Sequence, residues 1–316
     1  QDKMVSVFIG NDALVEGVLW NELEAVRNPA LDPERDDLLE VRYAGGGIPV
    51  DVRDGELFAA LNVRDVILPE FSERLDTIAH SLIGAINSIH SQGNGLQNLS
   101  GTQSSTNLAS DSADPLVGGA LPFEVVPGTF DVVVYDAAGV PTSTTITITV
   151  ATTLDDLAAD LNAVGNFSAS VVDNRIEFGA GGGFTFGFAN DSSGALVALG
   201  INGLFTGHDA ASIGVDPAIE ANPNLIASGY SLDPLETGDN SAALDMAAVR
   251  NLRLLNDGAS TLGGFYESTI ARLGVQSRAN QERLDVQQSF VDDFQRRRQE
   301  VSGVSLDEEV TLLIQY

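Results

Sequence analysis

The three histidines are the side chains of this sequence best suited to bind a metal ion or carry a proton. His80 and His90 stand ten residues apart on a predicted helix, whereas two ligands on one helix face need a spacing of three or four. His208 stands beside Asp209 without a second histidine nearby, and the chain has no cysteine. We therefore expect no metal site, no disulfide and no cysteine nucleophile.

Adjacent carboxylates are the next candidates, because paired carboxyls can perform acid–base catalysis. With 45 acidic residues in the chain, neighbouring pairs arise by chance. Catalysis would need two carboxyls with opposed environments in one cleft. We interpret the pairs as solvated helix faces and as partners of helix N-termini, and we predict no catalytic residue. The pairs are Asp36-Asp37, Asp155-Asp156, Asp292-Asp293 and Glu308-Glu309.

Two glycine-rich stretches raise the question of a bound phosphate or dinucleotide. Leu199–Val215 has no Gly-Lys-Ser/Thr, and Lys3 is the only lysine of the chain, so no lysine is there to neutralise a phosphate. Gly179–Gly187 leads into a predicted strand and lacks the helix N-terminus that a dinucleotide site uses. We read the first stretch as turns that close a β-rich domain, and the second as a hairpin tip. No cofactor is expected.

The charge of the chain excludes further classes of partner. Its net charge is −29, which would repel nucleic acid and anionic lipid. The basic cluster Arg296–Arg298 ends a helical pattern, where it meets the helix dipole favourably. No apolar run approaches the roughly 18–20 residues that span a bilayer, and the N-terminus does not resemble a signal peptide. These features fit the cytoplasm, or export of an unfolded chain without a cleaved signal.

The first 119 residues divide into three segments with different sequence patterns. Residues 1–60 alternate short β-like runs, at 4–10, 13–20, 38–44 and 47–52, with turns. A helix is predicted from Asp65 to Ser91, with Pro69 in its first turn. Ser91–Gly119 is rich in Ser, Gly and Asn and reads as a linker. The helix carries one apolar stripe, formed by Phe71, Leu75, Ile78, Leu82, Ile86 and Ile89.

The rest of the chain is β-rich and then helical. Residues 123–207 contain alternating strand patterns and one short helix, Thr153–Ala163, with Thr153 as N-cap. Helices are predicted over Asp239–Leu255 and Thr261–Val301, and a capping box starts another at Ser305. The seam of the long helix includes polar positions. It comprises Leu262, Phe265, Thr269, Leu273, Gln276, Asn280, Leu284, Gln287, Val291 and Phe294.

This order of elements predicts an α+β fold. We expect a discontinuous long-helix domain with short strands, made of residues 1–111 and 216–316, that carries an inserted antiparallel β-rich domain at 112–215. Because a helix of about 40 residues spans roughly 60 Å, other elements must cover it. We expect the helix at 65–91 and the N-terminal strands to do so. Such an arrangement suggests a rod rather than a catalytic globule.

Three segments resemble the family of flagellar hook-associated protein 1 (FlgK). They are Arg53–Gly93, Asn190–Gly229 and Val301–Tyr316, and they follow the family's motifs in order. The first segment carries the most specific match, a Gly-Glu-Leu…Val-Arg-Asp run followed by Leu-Pro and a helix that ends in Asn-x-x-His-x-x-Gly. Its residues are Gly55, Glu56, Leu57, Leu61, Val63, Arg64, Asp65, Leu68, Pro69, Leu75, Asp76, Ala79, Asn87, His90 and Gly93.

The resemblance implies a structural protein at the junction between the flagellar hook and filament. Such a protein is exported through the flagellar type III pathway to the cell exterior and assembles as a ring. Its partners would be copies of itself, the hook protein and the second junction protein, with an export chaperone for the full-length chain. The family's terminal heptad helices are expected to be missing from both ends, leaving a soluble and largely monomeric fragment.

Two alternatives stay open at this point. One is an extracellular adhesin or binding module, with a β domain on a helical stalk. The other is a different axial protein, flagellin or the second hook-associated protein. An enzyme is not predicted, because no set of residues points to a reaction.

Overall fold

The computed structural model describes residues 6–9, 12–28, 30, 38–53, 55–232 and 238–302. It combines helices with antiparallel sheets and is therefore α+β, as the sequence predicts. The chain divides into two compact units: unit 1 is Gln1–Thr77 with Asp209–Ala211, and unit 2 is Ile78–His208 with Ser212–Tyr316. The boundaries predicted at 111/112 and 215/216 follow a different division and stay a prediction.

The strands of unit 1 form two small antiparallel sheets, β1-β2-β3 and β4-β5. The predicted single run at 13–20 is a hairpin, since Gly17 turns the chain with a φ of 64°. The predicted run at 47–52 forms only an isolated bridge between Pro49 and Arg42, because proline has no N–H for a ladder. The strands are β1 (Ser6–Ile9), β2 (Asp12–Glu16), β3 (Leu19–Trp20), β4 (Leu23–Arg27) and β5 (Leu39–Tyr43).

The first long helix begins ten residues before the predicted start at Asp65. Helix α1 (Gly55–Asn62) runs through a π-helical turn (Val63–Ile67) directly into α2 (Leu68–His90). Pro69 is therefore inside a continuous helix, where it cannot donate to the carbonyl four residues back and its ring crowds that carbonyl. The wider π turn, in which Leu68 N–H bonds Val63 O, lets the helix pass the proline.

The two main sheets of unit 2 are β6-β10-β9 and β11-β7-β8, both antiparallel. Because β10 and β11 belong to different sheets, the glycine-rich stretch Gly179–Gly187 crosses between sheets, and its interpretation as a hairpin tip is wrong. The elements are β6 (Thr102–Ser104), β7 (Gly128–Tyr135), β8 (Pro141–Ile148), α3 (Leu154–Asn162), β9 (Phe167–Val172), β10 (Arg175–Ala180), β11 (Thr185–Ala189) and α4 (Ala195–Leu199).

The core of unit 2 lies among these sheets, α3 and α4. Five phenylalanines meet in it, with edge-to-face pairs whose ring centroids are 5.1 to 6.3 Å apart. Helix α3 buries Leu154, Leu157 and Leu161 against the same core. The predicted N-cap is confirmed, because Thr153 and Asp156 form a capping box. The phenylalanines are Phe130, Phe167, Phe178, Phe186 and Phe188.

The predicted linker Ser91–Gly119 is wrong, because the segment is part of this folded unit. Its strand β6 pairs with β10, and Leu99 and Phe186 exchange two main-chain hydrogen bonds of 2.9 Å. Leu116 is 2% exposed within the core. The segment is ordered mainly by its backbone, whose hydrogen-bonding groups do not depend on side-chain composition.

The C-terminal part of unit 2 consists of short elements followed by one long helix. The predicted helix at 239–255 stops early, since α6 has eight residues and a strand follows. The long helix α7 agrees with the predicted bounds within one residue at each end, whereas the helix predicted from Ser305 lies outside the described residues. The elements are β12 (Phe205–Thr206), β13 (Gly214–Val215), α5 (Pro217–Ala221), α6 (Ser241–Ala248), β14 (Arg253–Leu255), β15 (Ser260–Thr261) and α7 (Leu262–Ser302).

Candidate functional site

The three histidines occupy different environments. His80 is exposed on α2, stacks on Phe123 at 4.4 Å between centroids, and has its Nδ1 3.1 Å from the main-chain oxygen of His208. His90 is fully buried. Within the described ranges, no group of three or more His, Cys, Asp or Glu side chains is placed to hold a metal ion.

The carboxylate pairs lie on helices where they are described. Asp155 and Asp156 occupy the first turn of α3, where carboxylates favourably meet the helix dipole. On α7, Asp293 pairs with Arg297 at 2.8 Å and with Arg296 at 3.6 Å. Exposed pairs of this kind contribute little to stability. The pairs at 36–37 and 308–309 lie outside the described residues.

The C-terminal end of α2 carries a set of buried polar side chains that bond distant main-chain groups of unit 2. We call this set the helix-end junction: Asn87, His90 and Gly93 with their partners Asn202, Phe205 and Ala227. The Asn87 side chain donates to the main-chain oxygen of Phe205 at 2.8 Å and accepts from its N–H at 2.9 Å. The Asn87 side chain thus bonds both main-chain groups of Phe205, as a neighbouring strand would do at that edge of the sheet.

His90 connects two segments that are distant in sequence. Its Nδ1 lies 2.9 Å from the main-chain oxygen of Asn202, and its Nε2 accepts the N–H of Ala227 at 3.1 Å. Burial lowers the pKa of His90, while the hydrogen bond to Asn202 and the charge of Asp216 act in the opposite direction. A buried imidazole with both nitrogens bonded is a structural group here, since it has no open position for a substrate.

Gly93 is required at the junction because of a close approach. A Cβ at this position would lie 2.7 Å from the Cβ of Ala227 and 3.2 Å from the oxygen of Gly229. The next residue, Asn94, forms an antiparallel bridge with Gly229, donating to its oxygen at 2.8 Å. The side chain of Asn94 also donates to Ser231 at 3.0 Å. The end of α2 is therefore fastened to residues 227–231.

Asp239 also bonds the main chain of residues 230 and 231. Its carboxylate accepts N–H groups from Tyr230, Ser231 and Ser241, at 2.7 to 2.9 Å, together with the Ser241 hydroxyl at 2.6 Å. These hydrogen bonds, those from Ser241 foremost, lower the pKa of Asp239 to about 2. Partial burial and the hydrogen bond to Asp245 raise the pKa of Tyr230 to about 12. At neutral pH these hydrogen bonds keep Asp239 ionised and Tyr230 protonated.

The buried face of α2 differs from the predicted stripe. Between residues 78 and 90 the buried positions are Ala79, Ile83, Ile86, Asn87 and His90, so the face is turned by about a quarter of a revolution from the predicted one. Of the predicted stripe in this range, only Ile86 is buried. Hydrophobic periodicity did not predict this rotation of the buried face, because two of the buried positions are polar residues that bond main-chain groups.

Helix α7 is exposed over most of its length. Its first turns are packed, with Phe265 6% and Thr269 3% exposed. From Ile270 to Glu300 only Gln276, Ala279 and Asp293 are even partly buried. Within unit 2, the predicted packing of this helix on residues 78–91 is therefore wrong for Ile270–Glu300, whereas its packing on the N-terminal strands stays a prediction. The seam positions left exposed include Leu273, Leu284, Val291 and Phe294.

The motif Asn87-x-x-His90-x-x-Gly93 could be recognised in the sequence, but the role of its residues could not. Their partners Asn202, Phe205 and Ala227 were missed, as was Asp239, which bonds Tyr230 and Ser231. The available signal was the left-handed turn expected of an Asn-Gly pair at Asn202, whose φ is 50°.

In the described ranges, no helix is both long enough and apolar enough to cross a membrane.

Comparison with known proteins adds three findings. Residues 1–104 match the family model described as the flagellar hook-associated protein FlgK helical domain. The flagellar hook junction protein FlgK from Burkholderia pseudomallei is a structural neighbour, with 13% sequence identity and a TM-score of 0.40 over 95% of this chain and 73% of that one. No curated protein is similar enough to count as a match.

Proposed function

We propose, because residues 1–104 match the FlgK helical domain, that this chain is a FlgK-like protein and a structural subunit of the bacterial flagellum at the hook–filament junction. It acts by assembling with copies of itself and by contacting the neighbouring axial proteins, the hook protein on one side and the second junction protein on the other. It performs no catalysis. The match of residues 1–104 to the helical domain is the observation that carries the proposal.

The exposed seam of α7 supports an assembly role. Leu273, Leu284, Val291 and Phe294 are 40% to 66% exposed along one side of the helix. An apolar helix face that no described residue covers is suited to a contact with another subunit. In this proposal the helical domain packs side by side with its neighbours, and the β-rich domain at 112–215 points outward.

Composition supports export and solubility before assembly. The absence of cysteine avoids disulfides during passage of an unfolded chain, as expected for the type III route to the cell exterior, with a chaperone binding the full-length chain. The net charge of −29 would keep free subunits apart by repulsion. Contacts at the seam must overcome this repulsion when the subunits assemble.

The proposal is tested by deleting the gene that encodes the chain and restoring it on a plasmid. Deleted cells should keep their hooks, shed unpolymerised flagellin and lose motility, and the wild-type gene should restore filaments. Deleted cells with normal filaments would refute the junction role.

A matched pair of substitutions tests the seam in the same strain. Val291→Asp places a charge in the seam, whereas Val286→Asp places it about 140° away on the same helix; the two side chains are 45% and 55% exposed. We expect the first variant to be exported but to leave most cells without filaments, and the second to restore them. Equal restoration by both would exclude the seam as an assembly surface.

A further inference from the structure

The bonding of His90 determines its protonation state. The main-chain oxygen of Asn202 can only accept a hydrogen bond, so the Nδ1 atom 2.9 Å away carries the proton. The main-chain N–H of Ala227 can only donate, so Nε2, which accepts it at 3.1 Å, is bare. Because the side chain is 0% exposed, no water compensates for a change. The folded protein therefore holds His90 as a single neutral tautomer.

Protonation would break the contact with Ala227. A proton on Nε2 would face the N–H of Ala227, setting two donors against each other, and would leave a buried charge. Asp216, the N-cap of α5, is the charged group whose field acts on the ring. The charge of Asp216 raises the pKa of His90, but burial, which lowers it, is the larger cause. The neutral form is thus favoured in the closed structure.

The segment that His90 holds also bonds the residues that follow α2. We call residues 222–231 the returning segment. It bonds Asn94 through Ser228, Gly229 and Ser231 at 2.8 to 3.4 Å, Asn224 accepts the N–H of Gln97 at 3.1 Å, and the Asn222 side chain donates to that of Gln97 at 2.8 Å. Of its hydrogen bonds to the end of α2, the one between Ala227 and His90 is buried. A Cβ at Gly93 would lie 2.7 Å from the Cβ of Ala227, so a side chain at position 93 would displace the segment.

We propose that His90 is an acid-sensitive latch, whose protonation releases the returning segment from the end of α2 while the phenylalanine core stays folded. This inference is independent of the flagellar role. It rests on the full burial of the ring, on the two main-chain bonds that fix its tautomer, and on the separation of 137 residues that the bond to Ala227 spans.

The direction of the pH dependence follows from proton counting. The pKa of His90 is lowered from 6.5 in the folded protein, so the released state binds the proton more readily than the closed one. The closing free energy is complete above about pH 6.5 and decreases as the pH falls towards the lowered pKa. Over that interval the ratio of released to closed molecules should rise up to about tenfold per pH unit.

Amide hydrogen exchange measured from about pH 7.5 to about pH 4.5, corrected for the intrinsic exchange rate, tests the latch. The protection of the Ala227 amide should fall up to about tenfold per pH unit below about pH 6.5, and that of Phe186 should not. His90→Gln keeps an acceptor near Ala227 but does not titrate, so its Ala227 protection should be independent of pH. His80→Gln, the exposed control on the same helix, should behave as wild type.

Two results would overturn the latch. One is Ala227 protection that does not change with pH in the wild type. The other is an equal loss of protection in His90→Gln and wild type. If His90→Gln does not fold, the ring signals of His90 in the wild-type protein decide by nuclear magnetic resonance. A ring that titrates at its ordinary value of 6.5 without any change at Ala227 would refute the proposal.

Discussion

Phe186→Ala is expected to lower the free energy of unfolding of unit 2 by about 3–5 kcal/mol. The Phe186 ring is fully buried, and the centroids of Phe167, Phe178 and Phe188 lie 5.1, 5.9 and 5.9 Å from it. Truncation removes its apolar contacts and leaves a cavity between the two sheets, which a close-packed interior cannot fill by small shifts. Urea unfolding followed by circular dichroism measures the loss.

Phe294→Ala is the matched control for this substitution. Phe294 is 66% exposed on α7, and a truncation there should change stability by no more than about 0.5 kcal/mol. If both variants lost the same stability, Phe186 would not be at the centre of the core. The comparison also separates loss of packing from loss of an aromatic residue as such.

Asn87→Ala is expected to lower the free energy of unfolding by about 2–4 kcal/mol. The substitution leaves the N–H and the oxygen of Phe205 without their partner at a part-buried position, and each unsatisfied group costs about 1–3 kcal/mol. The gain in helix propensity from alanine is smaller, about 0.6 kcal/mol. The same unfolding experiment measures the change.

Asn280→Ala controls for helix propensity, because Asn280 is an exposed asparagine on α7. It should be neutral or slightly stabilising. A loss of stability as large in Asn280→Ala as in Asn87→Ala would show that the helix-end junction contributes nothing specific. A wild-type stability for Asn87→Ala would refute the pairing with Phe205.

Elements with a strong local pattern could be predicted from the sequence. Helix α7 and the strands β7 to β11 follow their periodicity, and Thr153 marks the start of α3 with a capping box. The start of the first helix could not be predicted in this way. Proline usually indicates a helix N-terminus, but a π turn lets Pro69 lie inside a continuous helix.

Amino-acid composition also could not predict that a segment is ordered by its main-chain hydrogen bonds. Residues 91–119 have few apolar side chains, yet β6 and Leu99 add to the two main sheets through their backbones. Sequence patterns describe side chains, whereas every residue except proline carries the same main-chain donor and acceptor. A polar segment is therefore ordered when a sheet edge is available to it.

The candidate site was predictable only in part, for a related reason. The motif residues Asn87, His90 and Gly93 stood out, but His90 bonds residues that are 112 and 137 positions away. No spacing rule relates residues so far apart. The seam of α7 was predicted as a pattern, yet the pattern did not reveal that the described residues leave most of it exposed.

The location of the protein in intact flagella tests the central proposal most directly. Because the chain has no cysteine, Ser143→Cys on the exposed side of β8 introduces a single thiol that a maleimide dye can label on living cells. We expect one labelled spot at the base of each filament, between hook and filament. Label spread along the filament, or confined to the cell body, would contradict the assignment to the hook–filament junction.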